Sequence, residues 1–254
     1  MDITDYLRDV TPITLTVTVA VGILTILLVL LWTVCFKSGG RGKTGRTILI
    51  LGTTGSGKTV LFYRMLFGTR VNTQTSMKPN IAKSTLNGDD SEEGETNTSE
   101  YHFVDVPGHP RIRRQMVKKY SPLVGAIIFV VDGTRSDVRS SAEYLYDILT
   151  DPIIDDKTPP MLILSNKSDC KYAKESKDLK RCLEEELTKL KETRASLAQT
   201  GGGSDTSDEP LALGLKDEDF TFVRHSPCEV TFATGSALDG KLSAAVSFVR
   251  ESIQ

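Results

Sequence analysis

The hydropathy pattern opens with one uninterrupted stretch: Thr11 to Phe36 carries no charged residue. Its core, Ile13 to Phe36, would be roughly 36 Å long as a helix, against about 30 Å of bilayer hydrocarbon. The stretch lacks the 3.6-residue alternation of an amphipathic helix, and Trp32 stands near one end, where interfacial aromatic residues belong. A transmembrane helix over residues 11–36 is expected. A cleaved signal peptide fits less well, because the run is long and its flank has Asp2, Asp5 and Asp9 against a single Arg8.

After residue 46 the pattern changes to short apolar runs that alternate with helix-like segments. Thr47 to Leu51 reads as a strand and Val60 to Phe67 as a helix. Asn80 to Leu86 and Tyr101 to Val106 read as a pair of strands joined by the acidic loop Asn87 to Glu100. Gly125 to Asp132 is apolar almost throughout and predicts a fully buried central strand. Ser140 to Leu149 follows as a helix, Met161 to Ser165 and Glu229 to Ala233 as strands, and Ala237 to Ile253 as the closing helix. This alternation predicts an α/β fold with a mostly parallel central sheet flanked by helices, and ligand sites at the C-terminal strand ends.

One segment exceeds that plan. Between Asp178 and Leu197 the side chains of Leu179, Leu183, Leu187 and Leu190 fall on one helical face with charged residues elsewhere, which predicts an amphipathic helix. The run Gly201 to Pro210 is too polar and glycine-rich to bury apolar surface and predicts a loop. The helix either covers an edge of the sheet or offers a surface to a partner.

Candidate chemistry sharpens the picture. Gly52-Thr53-Thr54-Gly55-Ser56-Gly57-Lys58-Thr59 stands between a predicted strand and a predicted helix, the setting of a phosphate-binding loop. Glycines let backbone N–H groups close on a triphosphate at the positive end of the helix. Lys58 supplies an ammonium for the β and γ phosphates, and the Thr59 hydroxyl a ligand for Mg²⁺. About 110 residues later, Asn166-Lys167-Ser168-Asp169 closes another apolar run. A carboxylate such as Asp169 in the base plane accepts two hydrogen bonds from guanine N1–H and its 2-amino group, which adenine does not offer, so GTP is expected. Asn166 would tie this loop to the phosphate loop, and the stem of Lys167 would cover the base.

Asp105-Val106-Pro107-Gly108-His109 lies between the two cassettes. Asp105 can hold Mg²⁺ through water, and Gly108 can present its N–H to the γ phosphate. His109 takes the place next to that glycine where Ras-like GTPases carry a water-orienting Gln, which makes it the candidate catalytic residue. Thr73 and Thr75 are candidates for a loop hydroxyl that reaches Mg²⁺ when the γ phosphate is present, with Thr73 favoured. Ser236-Ala237 fits a small turn against the guanine carbonyl.

With 254 residues, the chain has room for one nucleotide-binding domain and these additions. A net charge of −2 says little about partners, and no direct nucleic-acid binding is expected. Lys37, Arg41, Lys43 and Arg46 follow the predicted span, so the positive-inside rule puts the following domain in the cytosol. Cys35, Cys170, Cys182 and Cys228 are scattered without the spacing of a zinc site or a disulfide framework. The expected organisation is a short lumenal N-terminus over 1–10, a transmembrane helix over 11–36 and a basic linker over 37–45. A P-loop GTPase domain over 46–254 comes next, with an insertion at about 172–221.

Taken together, the span, the phosphate loop, the D-x-P-G-H motif of Asp105 to His109, the Thr-Gln-Thr-Ser stretch of Thr73 to Ser76 and the Leu/Glu helix resemble one family. That family is the beta subunit of the signal recognition particle receptor, an Arf/Sar-like small GTPase with a membrane anchor. The resemblance implies GTP and Mg²⁺ as cofactors, an endoplasmic reticulum location, and a role in cotranslational targeting by holding the receptor's alpha subunit through its N-terminal domain. One departure is Gly235-Ser236-Ala237-Leu238, where many GTPases have Cys-Ser-Ala-Lys. A competing expectation is an Arf/Sar-like GTPase that cycles on and off membranes to control vesicle coats. The predicted span argues against it, because such coat GTPases exchange through an amphipathic helix or a lipid chain.

Overall fold

The computed structural model describes residues 21–22, 45–84, 100–136, 138–200, 213–215 and 218–253. The chain divides into two compact units, Met1–Gly42 and Lys43–Gln254, and the second contains every strand of the sheet. The expected span over 11–36 lies outside the described residues apart from Val21 and Gly22, as does the low-complexity run 201–210. Among the described residues no helix is long and apolar enough to cross a membrane.

Six strands form one sheet: β1 (Thr47–Leu51), β2 (Asn80–Ser84), β3 (Tyr101–Asp105), β4 (Val124–Asp132), β5 (Met161–Asn166) and β6 (Val230–Thr234). Their order is β2-β3-β1-β4-β5-β6, and every pairing is parallel except that of β2 with β3. All nine residues of β4 are buried, as expected for a central strand covered on both faces. Alternation along β1 divides the core: Ile48 and Ile50 face one layer, Leu49 and Leu51 the other.

The first layer is closed by α1 (Lys58–Phe67) through Leu61 and Phe62, and by α7 (Ser243–Ser252) through Ala245, Phe248 and Val249. The second is closed by α2 (Pro110–Tyr120), α3 (Arg139–Leu149), the short α4 (Pro152–Lys157) and α5 (Ser176–Thr200). Leu179, Leu183 and Leu187 of α5 are fully buried there and Leu190 packs at the margin, so the predicted leucine face covers the sheet. The return arm of the insertion is fastened to that helix. Phe220 N donates to Thr188 Oγ1 (2.9 Å), Phe222 N to Glu184 Oε1 (3.0 Å), and Lys191 Nζ to the Leu215 and Glu218 carbonyls. A one-turn helix, α6 (Phe222–His225), comes after this arm.

Two expectations change. The closing helix begins at Ser243 rather than Ala237, because Ser236 and Lys241 pair across a turn in which Gly240 takes φ 78°. A helix also fills Pro110–Tyr120, where the hydropathy pattern predicted none. Its four inward positions are Ile112, Met116, Val117 and Tyr120, set among five cations, with Pro110 at the first position and the His109 side chain as N-cap.

Candidate functional site

The predicted phosphate loop joins β1 to α1 at the C-terminal edge of the sheet. A Cβ on Gly52 would overlap the Val130 carbonyl of β4, and one on Gly57 would overlap the Asn166 amide, so the loop closes only with glycine there. Gly57 is the N-cap of α1 with φ 91°, no side chain caps the helix, and its first turn carries no acid. The leading N–H groups of α1 are thereby left for an anion. Thr53 instead turns toward α3, its hydroxyl 3.5 Å from that of Ser141.

A cleft of about 140 Å³ opens over this loop, walled by Thr54, Gly55 and Gly57 to Thr59, by Thr73 to Ser76 and by Asp105 to Gly108. Lys58 is buried and its ammonium donates to the Thr53 carbonyl (2.8 Å). Burial lowers its pKa to about 8, with the charge of Asp105 opposing that fall. Asp105, 1% exposed, ends β3; its Oδ2 accepts from Thr59 Oγ1 and from Asn80 Nδ2, both at 2.8 Å. Its Oδ1 is buried without a hydrogen-bond partner. Burial raises the pKa of this carboxyl against those hydrogen bonds and the Lys58 charge. A cation held back toward neutrality and a carboxylate with an unused oxygen are what a site shaped for added phosphate and added Mg²⁺ presents. Thr59 and Asp105 would hold the metal, which would offset phosphate charge; the loop amides and Lys58 would hold the phosphates. Gly108 presses on the loop, since a Cβ there would lie 2.6 Å from Gly52 O and 2.7 Å from Thr54 N.

The second cassette meets the first through Asn166. Its Nδ2 donates to Ser56 O (2.8 Å), and its Oδ1 accepts from Ala237 N (2.9 Å), so one buried amide holds three loops. Asp169 is exposed and accepts from Ser236 Oγ at 2.5 Å, which holds its carboxyl below the usual range and keeps it anionic for donors on a base. Lys167 takes φ 68° and donates to Asp132 Oδ2 at 2.6 Å. Burial alone would raise the pKa of Asp132; hydrogen bonds from Lys167 and Thr134 outweigh it and leave the carboxyl lowered.

The two cassettes, Asp105, Gly108 and the 236–237 turn thus converge on one edge of the sheet. Thr73 and Thr75 both line the cleft and are exposed; Ser76 comes nearest the metal side, with its hydroxyl 3.4 Å from Thr59 Oγ1. His109 is not among the lining residues, and its Nδ1 accepts from Arg111 N (3.3 Å) as the cap of α2. Four participants escaped the sequence reading: Ser76, Asn80, Asp132 and Arg135. The guanidinium of Arg135 lies 3.5 Å from Asp132 Oδ2 and within 3.5 Å of a Cβ built on Gly55. Asp132 carried a signal, a carboxylate ending an apolar strand as Asp105 does. Among the described residues no cluster of three or more His, Cys, Asp or Glu could hold a metal.

Comparison with known proteins decides the family. The model for the signal recognition particle receptor beta subunit matches residues 43–226. Signal recognition particle receptor subunit beta of Homo sapiens is 35% identical over 237 residues, 92% of this chain and 82% of that protein. The chain belongs to the signal recognition particle receptor beta-subunit family. The Dictyostelium discoideum member of the family is 32% identical, over 77% of this chain and 64% of its own length. Among solved structures, the mammalian SRP receptor superposes with a TM-score of 0.68 at 29% identity, covering 81% of this chain and 98% of that one. The SRb-GTP/SRX complex of Chaetomium thermophilum shares the fold at a TM-score of 0.55 and 22% identity, over 77% and 92% of the two chains. The Arf-like relationship is more distant: human ADP-ribosylation factor-like protein 4A is 29% identical over 54% of this chain. The fold is therefore that of a P-loop GTPase, with a mostly parallel sheet flanked by helices.

Proposed function

We propose that this chain is the GTP-binding subunit of a signal recognition particle receptor, anchored in the endoplasmic reticulum membrane by residues 11–36. Residues 46–254 then lie in the cytosol and recruit the receptor's alpha subunit through its N-terminal domain when GTP is bound. The observation that carries the reading is one shared cleft. Thr59, Asp105, Gly108 and Thr73 to Ser76 surround it together, so the segments that would meet a partner are those a γ phosphate and Mg²⁺ would order. The fungal relative solved as an SRb-GTP/SRX complex and the family's name support the partner.

Bound GTP acts here as a slow switch. The residue beside Gly108 is a histidine whose ring caps α2 rather than lining the cleft, so its use as a water-orienting group would require giving up that cap. His109→Gln tests this by single-turnover hydrolysis. The guanine assignment is tested by titrating GTP, GDP, ATP and xanthosine triphosphate into the purified chain and into Asp169→Asn. The chain prefers guanine nucleotides and the variant shifts toward xanthine, because the hydrogen-bond polarity at Asp169 reverses. Equal affinity of the unaltered chain for ATP and GTP overturns the reading.

A further inference from the structure

In the sheet β4 stands between β1 and β5, so the loop that leaves Asp132 lies between the phosphate loop, which follows β1, and the base loop, which follows β5. This middle loop is tied down on both sides. Gly133 N donates to the Asn166 carbonyl (3.0 Å), and Thr134 donates to Asp132 Oδ1 through its N–H (3.0 Å) and its hydroxyl (2.6 Å). Lys174 Nζ donates to the carbonyls of Arg135 and Ser136, both at 2.9 Å. The backbone of Arg135 is thereby fixed while its side chain stays exposed. Its Nε lies 3.5 Å from Asp132 Oδ2, and a terminal guanidinium nitrogen lies 3.5 Å from where a Cβ on Gly55 would stand. Asp132 already accepts from the Lys167 ammonium at 2.6 Å, so one buried carboxylate faces two cations. At 3.5 Å the Arg135 pair is an ion pair rather than a hydrogen bond, which leaves the guanidinium donors for another acceptor. Of the other acids close in sequence to these loops, Asp169 accepts from Ser236, Glu143 pairs with Arg139, and Asp137 lies outside the described residues.

We propose that Arg135 binds the α phosphate, the phosphate next to the sugar that GDP and GTP share. The proposal rests on the reading of the cleft as a guanine-nucleotide site. With the base at Asp169 and the outer phosphates at Lys58, the sugar and the α phosphate bridge the space between the base loop and the phosphate loop. The loop after β4 is the one that flanks this space. Asp132 is met by the Nε edge of the guanidinium, and it is a terminal nitrogen that lies toward Gly55 of the phosphate loop. A guanidinium in that place offers a phosphate forked N–H donors and keeps its charge at any working pH. Because the group it holds is common to both nucleotides, Arg135 sets how long either one stays bound and does not tell GTP from GDP. That separates it from Thr73 to Ser76, whose segment would respond to the γ phosphate.

The test uses the full chain in detergent, loaded with radiolabelled GDP or a non-hydrolysable GTP analogue, beside Arg135→Gln, Arg135→Lys and, as a control on the closing helix, the exposed Arg250→Gln. A charged hydrogen bond at an exposed side chain sits at the low end of its range, so release in Arg135→Gln should quicken about tenfold. The factor should be the same for both nucleotides, smaller in Arg135→Lys and absent in Arg250→Gln. In phosphorus NMR of bound GDP the α resonance should move in Arg135→Gln, while the preference for GDP over IDP in competition stays that of the unaltered chain. Unchanged release in Arg135→Gln overturns the proposal, as does faster release of the GTP analogue alone. A fall in the GDP-over-IDP preference with an unmoved α resonance also overturns it, because Arg135 would then act through Asp132 and Lys167 on the base loop. An unaltered chain that retains no guanine nucleotide overturns the reading of the cleft itself.

Discussion

Asn166→Ala is the sharpest perturbation of the site, because a single buried amide satisfies one group from each of two other loops. The Ser56 carbonyl loses its donor at 2.8 Å and the Ala237 N–H its acceptor at 2.9 Å. Asn166 is only 2% exposed, so water does not readily replace either bond. An unpaired buried group costs about 1–3 kcal/mol, so the two together cost about 2–6 kcal/mol. For a domain of this size 1 kcal/mol corresponds to roughly 2–4 °C, so the melting temperature should fall by about 5–20 °C. The same loss unties the phosphate loop from the base loop and should quicken GDP release about 30-fold or more. Asn166→Asp is no rescue, since it keeps the acceptor for Ala237 but sets a carboxylate oxygen against the Ser56 carbonyl. Calorimetric melting and stopped-flow release of a fluorescent GDP give the two readouts. A melting shift below about 1 °C together with unchanged release would refute the claim that Asn166 joins the loops.

The same geometry predicts three further outcomes. Gly108→Ala should weaken GTP binding and spare GDP, because the added methyl enters the space between Gly108 and the Gly52 to Thr54 backbone; equal loss for both nucleotides in competition titrations would contradict it. Lys58, with its pKa lowered to about 8 in the nucleotide-free protein against 10.5 for a free lysine, binds fewer protons folded than unfolded between those values. Stability of the nucleotide-free protein should then rise with pH across that window, and Lys58→Met should flatten the rise in chemical denaturation curves; an unchanged profile in the variant would exclude Lys58 as the source. Ser76→Ala should lower Mg²⁺-dependent GTP affinity at least as much as Thr73→Ala or Thr75→Ala, given its approach to Thr59; a Thr73-only effect, seen by calorimetry, would restore the sequence assignment.

Much of this site was legible because each chemical cassette closes a strand whose apolar run is unmistakable. β1, β3 and β5 end in the phosphate loop, Asp105 and Asn166, and that placement is local in the sequence. What escaped depends on pairing across the fold. Asn80 matters because antiparallel register sets it opposite Asp105, and nothing near residue 80 announces that. The helix Pro110–Tyr120 was hidden by Arg111, Arg113, Arg114, Lys118 and Lys119, which swamp its few apolar positions. In the tertiary fold Arg113 stacks over the Tyr144 ring at 4.5 Å and pairs with Asp147, so part of that charge is absorbed inside the domain. The position after Gly108, where Ras-like GTPases carry a glutamine, made His109 the catalytic candidate; in this structure its ring caps the helix that follows.

Under the proposed function, nucleotide state at this cleft governs partner binding. The direct measurement is the affinity of the full chain, in vesicles and loaded with either a non-hydrolysable GTP analogue or GDP, for the N-terminal domain of the receptor's alpha subunit. Several ordered loop contacts present in one state and absent in the other should give the GTP form at least about a hundredfold tighter binding, equivalent to roughly 2.7 kcal/mol. Equal affinity for the two loaded forms, with nucleotide occupancy verified, would contradict the account.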